Sequence, residues 1–321
     1  MRFLFPDLSR FVSVGSERPA SLPLIREATA SGLRTFGHEA TASHDVDAGD
    51  VDLALVDVTD APSADALAAL HALRSKGVPV VLRVHGAWAG PDESDAEAPG
   101  AGELPVSLKG LLELSDRVLV STRSHLVRLA SKHVIDVERV KLLAPPHPEF
   151  RSEAGTGAAD GPGVGLVIGE RSSLGYEGAV SALAGAGLEV ERFDVRQSDH
   201  ATCGAFRAAV SRAHAIAVVA AVPWSDRVIV DACLVAGPPV VAACGPVLEE
   251  GSASARLVRL PLDATDEEWT GGIAAALRAG PDARRGADDA EDARAESVRR
   301  LTAILFEAAA SGGDGARQRA A

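Results

Sequence analysis

The chain is short of cysteine, of long apolar runs and of positive charge, and each shortage removes a class of function. Its three cysteines, Cys203, Cys233 and Cys244, are odd in number and none forms a Cys-x-x-Cys pair. Neither a disulfide framework nor a zinc site is indicated, and the three are expected to be small core residues. The longest apolar stretches, such as Ala215 to Val222, fall far short of the ~18 residues that a membrane-spanning helix needs, so no transmembrane segment is expected. At the N-terminus, Met1-Arg2-Phe3-Leu4-Phe5 runs into Pro6 and Asp7 before an apolar core of signal length can develop, which points to the cytoplasm. Lys and Arg number 32 against 45 Asp and Glu, a net charge of -13. Phosphate backbones would repel such a surface, so no nucleic-acid partner is expected, although a local basic pocket is compatible with it. Also missing is Gly-x-Gly-x-x-Gly between a first strand and its helix, where glycines let the backbone approach a dinucleotide pyrophosphate. The one glycine-rich string, Gly161-Pro162-Gly163-Val164-Gly165, precedes a strand and reads as linker. The Gly-Lys-Ser/Thr end of a phosphate loop is absent too, so a nicotinamide oxidoreductase and a nucleoside triphosphatase both lack their usual signal. No repeat of 20 to 50 residues suggests a solenoid.

What the chain does have is apolar material for buried cores: 46% of its 321 residues are hydrophobic and 24% charged, enough for two globular domains. Val- and Leu-rich runs alternate with segments of helical period, the rhythm of an α/β fold. Strands are expected at Met1 to Phe5, Asp52 to Val58, Val78 to Val84, Asp116 to Ser121 and Val140 to Leu143. Helices are expected at Ala64 to Lys76, with Leu67, Leu70 and Leu73 on one face and Gly77 as C-cap, and at Ser124 to His133. A run of Pro and Gly from Pro145 through Gly163, with His147 between two prolines, reads as the interdomain linker. The second half restarts with strand Gly165 to Ile168, helix Tyr176 to Ala186 and strand Glu189 to Phe193. Helix Ala205 to His214, strand Ala215 to Ala221, helix Ser225 to Val235 and strand Pro239 to Ala243 form the clearest βαβ unit. Helices Asp266 to Arg278 and Arg284 to Ala309 follow, and the Gly-rich tail from Ser311 is expected to fray. The expected architecture is α/β: two Rossmann-like domains, residues 1–148 and 149–321, facing each other across a cleft where open sheets bind ligands.

The order of segments resembles that of the GT-B glycosyltransferases, in particular the large retaining group called glycosyltransferase family 4. Val78-Pro79-Val80-Val81-Leu82-Arg83-Val84-His85-Gly86 looks like that family's strand ending in a cleft histidine. Ser115 to Ser121, followed by Leu126, Val140 and Pro145 to Pro148, is similar to the segment closing its first domain. Gly169-Glu170-Arg171 sits where the family has a loop with a phosphate-binding Arg, and Ser225-Asp226-Arg227 through Gly237-Pro238-Pro239-Val240-Val241 matches its nucleotide-binding helix and following turn. The resemblance implies transfer of a glycosyl group, hexosyltransferase-like, from a nucleotide-diphosphate sugar to an acceptor that the motifs do not specify. It also implies retention and no cofactor beyond the donor substrate. A metal-independent site is expected from the arginines available for the electrostatic work. By the family's pattern His85, Arg171 and Arg227 are the catalytic candidates, and Arg171, Arg227, Asp231 and Glu249 the nucleotide-binding ones.

The chemistry suits those residue types independently. A sugar nucleotide leaves as a diphosphate, so the site needs cations and helix N-termini where negative charge develops. Arg227 and Asp231, four apart, share one helix face, with the Arg toward phosphate and the carboxylate toward ribose hydroxyls. The competing reading is a surface i,i+4 ion pair worth a few tenths of a kcal/mol. His85 is either a ligand to a sugar hydroxyl or a histidine satisfied by backbone, and Glu249 with Glu250 is either near the nucleotide or solvated surface. The family's paired glutamates, eight apart, are matched only at the second position, by Asp231, with Pro223 at the first. No Lys occurs beyond Lys141, so a cationic partner for Arg171 has to be an Arg. These departures keep open a second possibility, an inactive GT-B partner subunit.

Overall fold

A computed structural model describes residues 1–6, 21–43, 50–58, 64–84, 106–121, 123, 126–127, 129, 136–143, 146, 163–169, 171–194, 200–219, 223–243, 257–279 and 283–319. The chain forms two compact units: Met1–Arg18, Arg26–Pro146 and Ala295–Ala321 make the first, and Pro19–Ile25 with His147–Arg294 the second. Each has its own all-parallel sheet.

In the first unit six strands run in the order β2-β1-β3-β4-β5-β6. They are β1 Arg2–Pro6, β2 Glu39–Ser43, β3 Leu53–Val58, β4 Val80–Val84, β5 Arg117–Val120 and β6 Val140–Leu142. Helices α1 Ser21–Thr35, α2 Ala64–Ser75 and α3 Val106–Leu114 connect them. Because side chains alternate across a strand, a sheet covered on both faces reads as continuous apolar sequence. Leu4, Val56, Leu82 and Val118 pack with Leu70 and Leu73 of α2 and Leu111 of α3 on one face. Phe3, Leu55, Val81 and Leu119 pack on the other with Leu33 of α1 and with Leu301, Leu305 and Ala308, which are spaced along the last helix. As expected, α2 stops at Gly77, whose φ of 78° lets the Val78 N–H reach back to the Leu73 carbonyl at 3.1 Å.

The second unit has five strands in the order β11-β10-β9-β7-β8: β7 Val164–Ile168, β8 Glu189–Phe193, β9 Ala213–Val218, β10 Val240–Ala243 and β11 Leu257–Leu260. Its helices are α4 Tyr176–Gly185, α5 His200–Arg212, α6 Pro223–Ala236 and α7 Asp266–Ala279, and α8 spans Ala283–Arg319. Leu166, Ile168, Ile216, Val218 and Val240 face α5 and α6. Val167, Ala215, Ala217 and Val241 face α4 and α7.

Several elements depart from the sequence reading. Helices α1 and α3 and strands β2 and β11 were not anticipated. The tail from Ser311, expected to fray, continues α8 to Arg319. Helix α6 starts at Pro223, two residues early, because a proline suits the first helical position, where its missing N–H is not needed. The polar stretch Pro91 to Glu103 and most of the Ser124 to His133 segment lie outside the described residues. Among the described residues no helix is long and apolar enough to cross a membrane.

Candidate functional site at the carboxyl ends of the second sheet

Counted from β7, the second unit's strands lie in the order 2-1-3-4-5 from β8 to β11, so the order reverses between β7 and β9. After β7 the chain enters α4 on one face of the sheet; after β9 it enters α6 on the other. Ligands of open α/β sheets sit outside the carboxyl ends at such a reversal. The ladder closes tightly there. The Val219 N–H donates to the Ile168 carbonyl at 2.8 Å, and the Gly169 N–H donates to the Phe193 carbonyl at 3.2 Å. Gly169 has φ 155°, and a Cβ on it would stand 2.5 Å from the Val219 carbonyl oxygen. Only a residue without a side chain fits between the strands at this point.

Gly169→Ala is therefore expected to destabilise the second unit by about 2–3 kcal/mol, since strained backbone and an immovable carbonyl act together. Gly185→Ala is the control. Gly185 is the last residue of α4 and nothing lies within 4 Å of an added Cβ, so alanine there should be neutral or stabilise by up to about 1 kcal/mol. Calorimetric unfolding of both variants checks the pair, and an unchanged Gly169→Ala transition would refute the steric argument.

Beyond Gly169 the chain turns through Arg171-Ser172-Ser173-Leu174-Gly175 into α4. Gly175 is the N-cap, with φ 82° and no capping side chain, and a Cβ there would lie 2.7 Å from Nε1 of Trp269. Trp269, on α7, is buried, and its Nε1 has no hydrogen-bond partner. The loop thus rests on an indole, which α7 holds in place. That helix begins with a capping box: the Thr265 N–H donates to Glu268 Oε2 at 2.7 Å and the Glu268 N–H to Thr265 Oγ1 at 3.3 Å. The backbone bond from Thr265 holds the Glu268 carboxyl below its ordinary range.

The sequence candidates fall as follows. Arg171 is exposed on the turn after β7. Arg227 is the fifth residue of α6 and Asp231 lies one turn further on the same helix, half-buried. The surroundings of the Arg227 side chain, and His85, Glu249, Glu250 and His147 entirely, lie outside the described residues. Cys233 is a buried free cysteine, as expected for a core residue, and its thiol is pushed far up by burial and then by the Asp231 carboxylate. It is inert as a nucleophile.

Two features were missed by sequence reasoning. The first is Arg192, exposed on β8 beside β7. The second is a buried charge cluster in the first unit: Asp57 of β3 and Arg83 of β4 face each other in register, with Arg83 Nε 2.6 Å from Asp57 Oδ1. Its sequence signal is one acid and one base inside otherwise apolar strands, Leu-Ala-Leu-Val-Asp-Val and Val-Val-Leu-Arg-Val. The first unit also contains two Asp-x-Asp triplets, Asp45-Val46-Asp47 and Asp50-Val51-Asp52. In the second triplet Asp52 accepts the Arg2 N–H at 2.7 Å, and Asp50 lies 3.6 Å from the Arg2 guanidinium. Both residues precede β3, at the amino end of the sheet, opposite the carboxyl ends at which open α/β sheets generally bind ligands.

No protein-family model matches the chain, and no curated protein sequence matches it. Solved structures do. HepE from Anabaena in complex with UDP-glucose is 14% identical, with a TM-score of 0.56 over 98% of this chain and 100% of that one. The UDP-GlcNAc 2-epimerase from Neisseria meningitidis bound to UDP-GlcNAc is 11% identical, with a TM-score of 0.53 over 96% of this chain and 100% of that one. Likeness at such identity shows the fold: two parallel-sheet α/β units of the GT-B type.

Proposed function

We propose that the protein is a glycosyltransferase that moves a sugar from a nucleotide-diphosphate donor to an acceptor, with retention and without a metal. The observation that carries this reading is the pair of segments flanking the β7–β9 reversal, the Arg171 turn on one side and the Arg227 helix on the other. Both solved relatives named above were obtained with a uridine-diphosphate sugar, which supports the donor class. In the reaction the bond from the anomeric carbon to the diphosphate oxygen breaks, a bond to the acceptor oxygen forms, and the acceptor proton leaves with the diphosphate or to solvent. Arg171 and Arg227 neutralise the diphosphate as its charge grows, Asp231 and Glu249 accept hydrogen bonds from the nucleoside, and His85 binds a donor-sugar hydroxyl. An inactive partner subunit is the second reading, favoured by Pro223 standing where the family's first glutamate would be.

A panel of uridine, guanosine, adenosine, cytidine and thymidine diphosphate sugars tests the donor. At about 100 times its dissociation constant the right one should stabilise the protein by about 2.7 kcal/mol. The purified chain should also hydrolyse that donor slowly in the absence of acceptor, with chelator present. A panel without a binder, or a donor bound and never consumed, would favour the partner subunit, and activity lost to chelator and restored by manganese would overturn the metal-free mechanism.

A further inference from the structure

We propose that Arg192, carried by the edge strand β8, is a second cation of the diphosphate site, acting beside Arg171 at the uncapped N-terminus of α4. This rests on the nucleotide-sugar reading above and adds a binding residue to it.

The register gives the placement. Arg192 pairs with Val167 and Phe193 with Ile168, so Arg192 sits on the strand beside β7, level with Val167, which is two residues before the chain leaves the sheet at Gly169. Val190 and Arg192 are two apart and share a face. Val190 packs against the buried cluster that contains Val167, Tyr176 and Leu183, so Arg192 lies on the α4 side of the sheet. Tyr176 is the first residue of α4 and is buried in the same cluster. Its hydroxyl is pushed up by burial and held down by Arg192 and then Arg171, while Asp194 and Glu177 act more weakly in the opposite sense. Both guanidinium groups therefore act on the Tyr176 hydroxyl more strongly than Asp194 and Glu177 do.

Neither arginine makes a hydrogen bond or ion pair among the described residues, unlike other arginines of the protein. On the same strand Glu191, facing the other way, takes Arg212 as partner at 3.0 Å. Arg83, Arg74 and Arg26 are each paired with an aspartate. Two unpaired cations beside a helix start that no side chain caps make a concentrated positive field. A diphosphate leaving group carries more charge than one guanidinium can match, and this unit contains no lysine to supply the rest.

The test measures binding of inorganic pyrophosphate, of the five nucleoside diphosphates and of the corresponding nucleosides at low salt. It compares wild type, Arg192→Gln, Arg192→Lys and, as control, Arg278→Gln in the last turn of α7. Arg192→Gln should bind pyrophosphate and the preferred diphosphate about tenfold more weakly, as expected for loss of a charge-assisted hydrogen bond from an exposed group. Nucleoside binding and thermal stability should stay unchanged, Lys should restore part of the affinity, and Arg278→Gln should match wild type. Arg192→Gln binding both anions as tightly as wild type would overturn the assignment and leave the nucleotide-sugar reading standing. Pyrophosphate binding that depends on Arg192, with no nucleotide bound by wild type, would keep the anion site and overturn the reading. Wild type binding none of the probes would overturn both.

Discussion

Asp57→Ala is expected to cost the first unit about 3–5 kcal/mol, because it leaves a buried guanidinium without its counter-charge. The Asp57 side chain is wholly buried, and that of Arg83 is 4% exposed. Their contact is two-pronged, Nε to Oδ1 at 2.6 Å and Nη2 to Oδ2 at 3.2 Å. Arg83 Nη1 also donates to Thr29 Oγ1 at 2.7 Å, and Arg26 Nε donates to Asp57 Oδ2 at 3.1 Å. The one carboxylate therefore ties strands β3 and β4 to helix α1. Removing it strands Arg83 inside the sheet, and a loss of this size should lower the first unit's midpoint by about 10 °C. Arg83→Met should cost less, since Asp57 keeps Arg26 and the methionine fills the vacated apolar space. The double change Asp57→Leu with Arg83→Met should recover much of the stability, as buried pairs replaced by apolar residues often do. Scanning calorimetry resolved into two transitions measures all three, and an Asp57→Ala protein with an unshifted first-unit transition would refute the argument.

That cluster also shows where sequence reading ends. Strands β7, β9 and β10 were legible to within about three residues, since a strand buried on both faces must be apolar throughout. Glu39–Ser43 and Leu257–Leu260 were not, because edge strands bury less and need no such run. Helix α1 hid behind Pro23 and Gly32, residues that weaken a helical pattern yet sit acceptably near a helix start or against a neighbour. Gly32 is needed because a Cβ there would drive into the Val298 side chain, a contact between residues 266 positions apart. The pairing of Asp57 with Arg83 depends on strand register in the same way. In the candidate site, Arg171 was legible as an arginine on a turn after a strand. Arg192 was not, because an arginine in an exposed strand position is commonplace until β8 is known to lie beside β7.

Arg227→Ala is expected to lower kcat with the true donor by about 100- to 1000-fold, the loss that follows removal of one preorganised charge-stabilising group. Helix α6 buries Ile229, Val230, Ala232 and Cys233 against the sheet, which fixes its rotation and holds Asp231, one turn on from Arg227, half-buried beside that stripe. If Arg227 meets the diphosphate, its charge matters more as the anomeric bond breaks than in the bound donor. The effect on kcat should then exceed the effect on donor affinity. Arg227→Lys should restore only part of the rate, since an ammonium cannot reproduce the planar fork. The competing surface pair predicts something quite different: Arg227→Ala and Asp231→Asn would each change stability by a few tenths of a kcal/mol and leave kcat alone. Steady-state kinetics on the three variants, read beside their unfolding curves, separate the two. An Arg227→Ala enzyme turning over at the wild-type kcat would remove Arg227 from the mechanism and leave Arg171 as the remaining sequence candidate for the leaving group's charge.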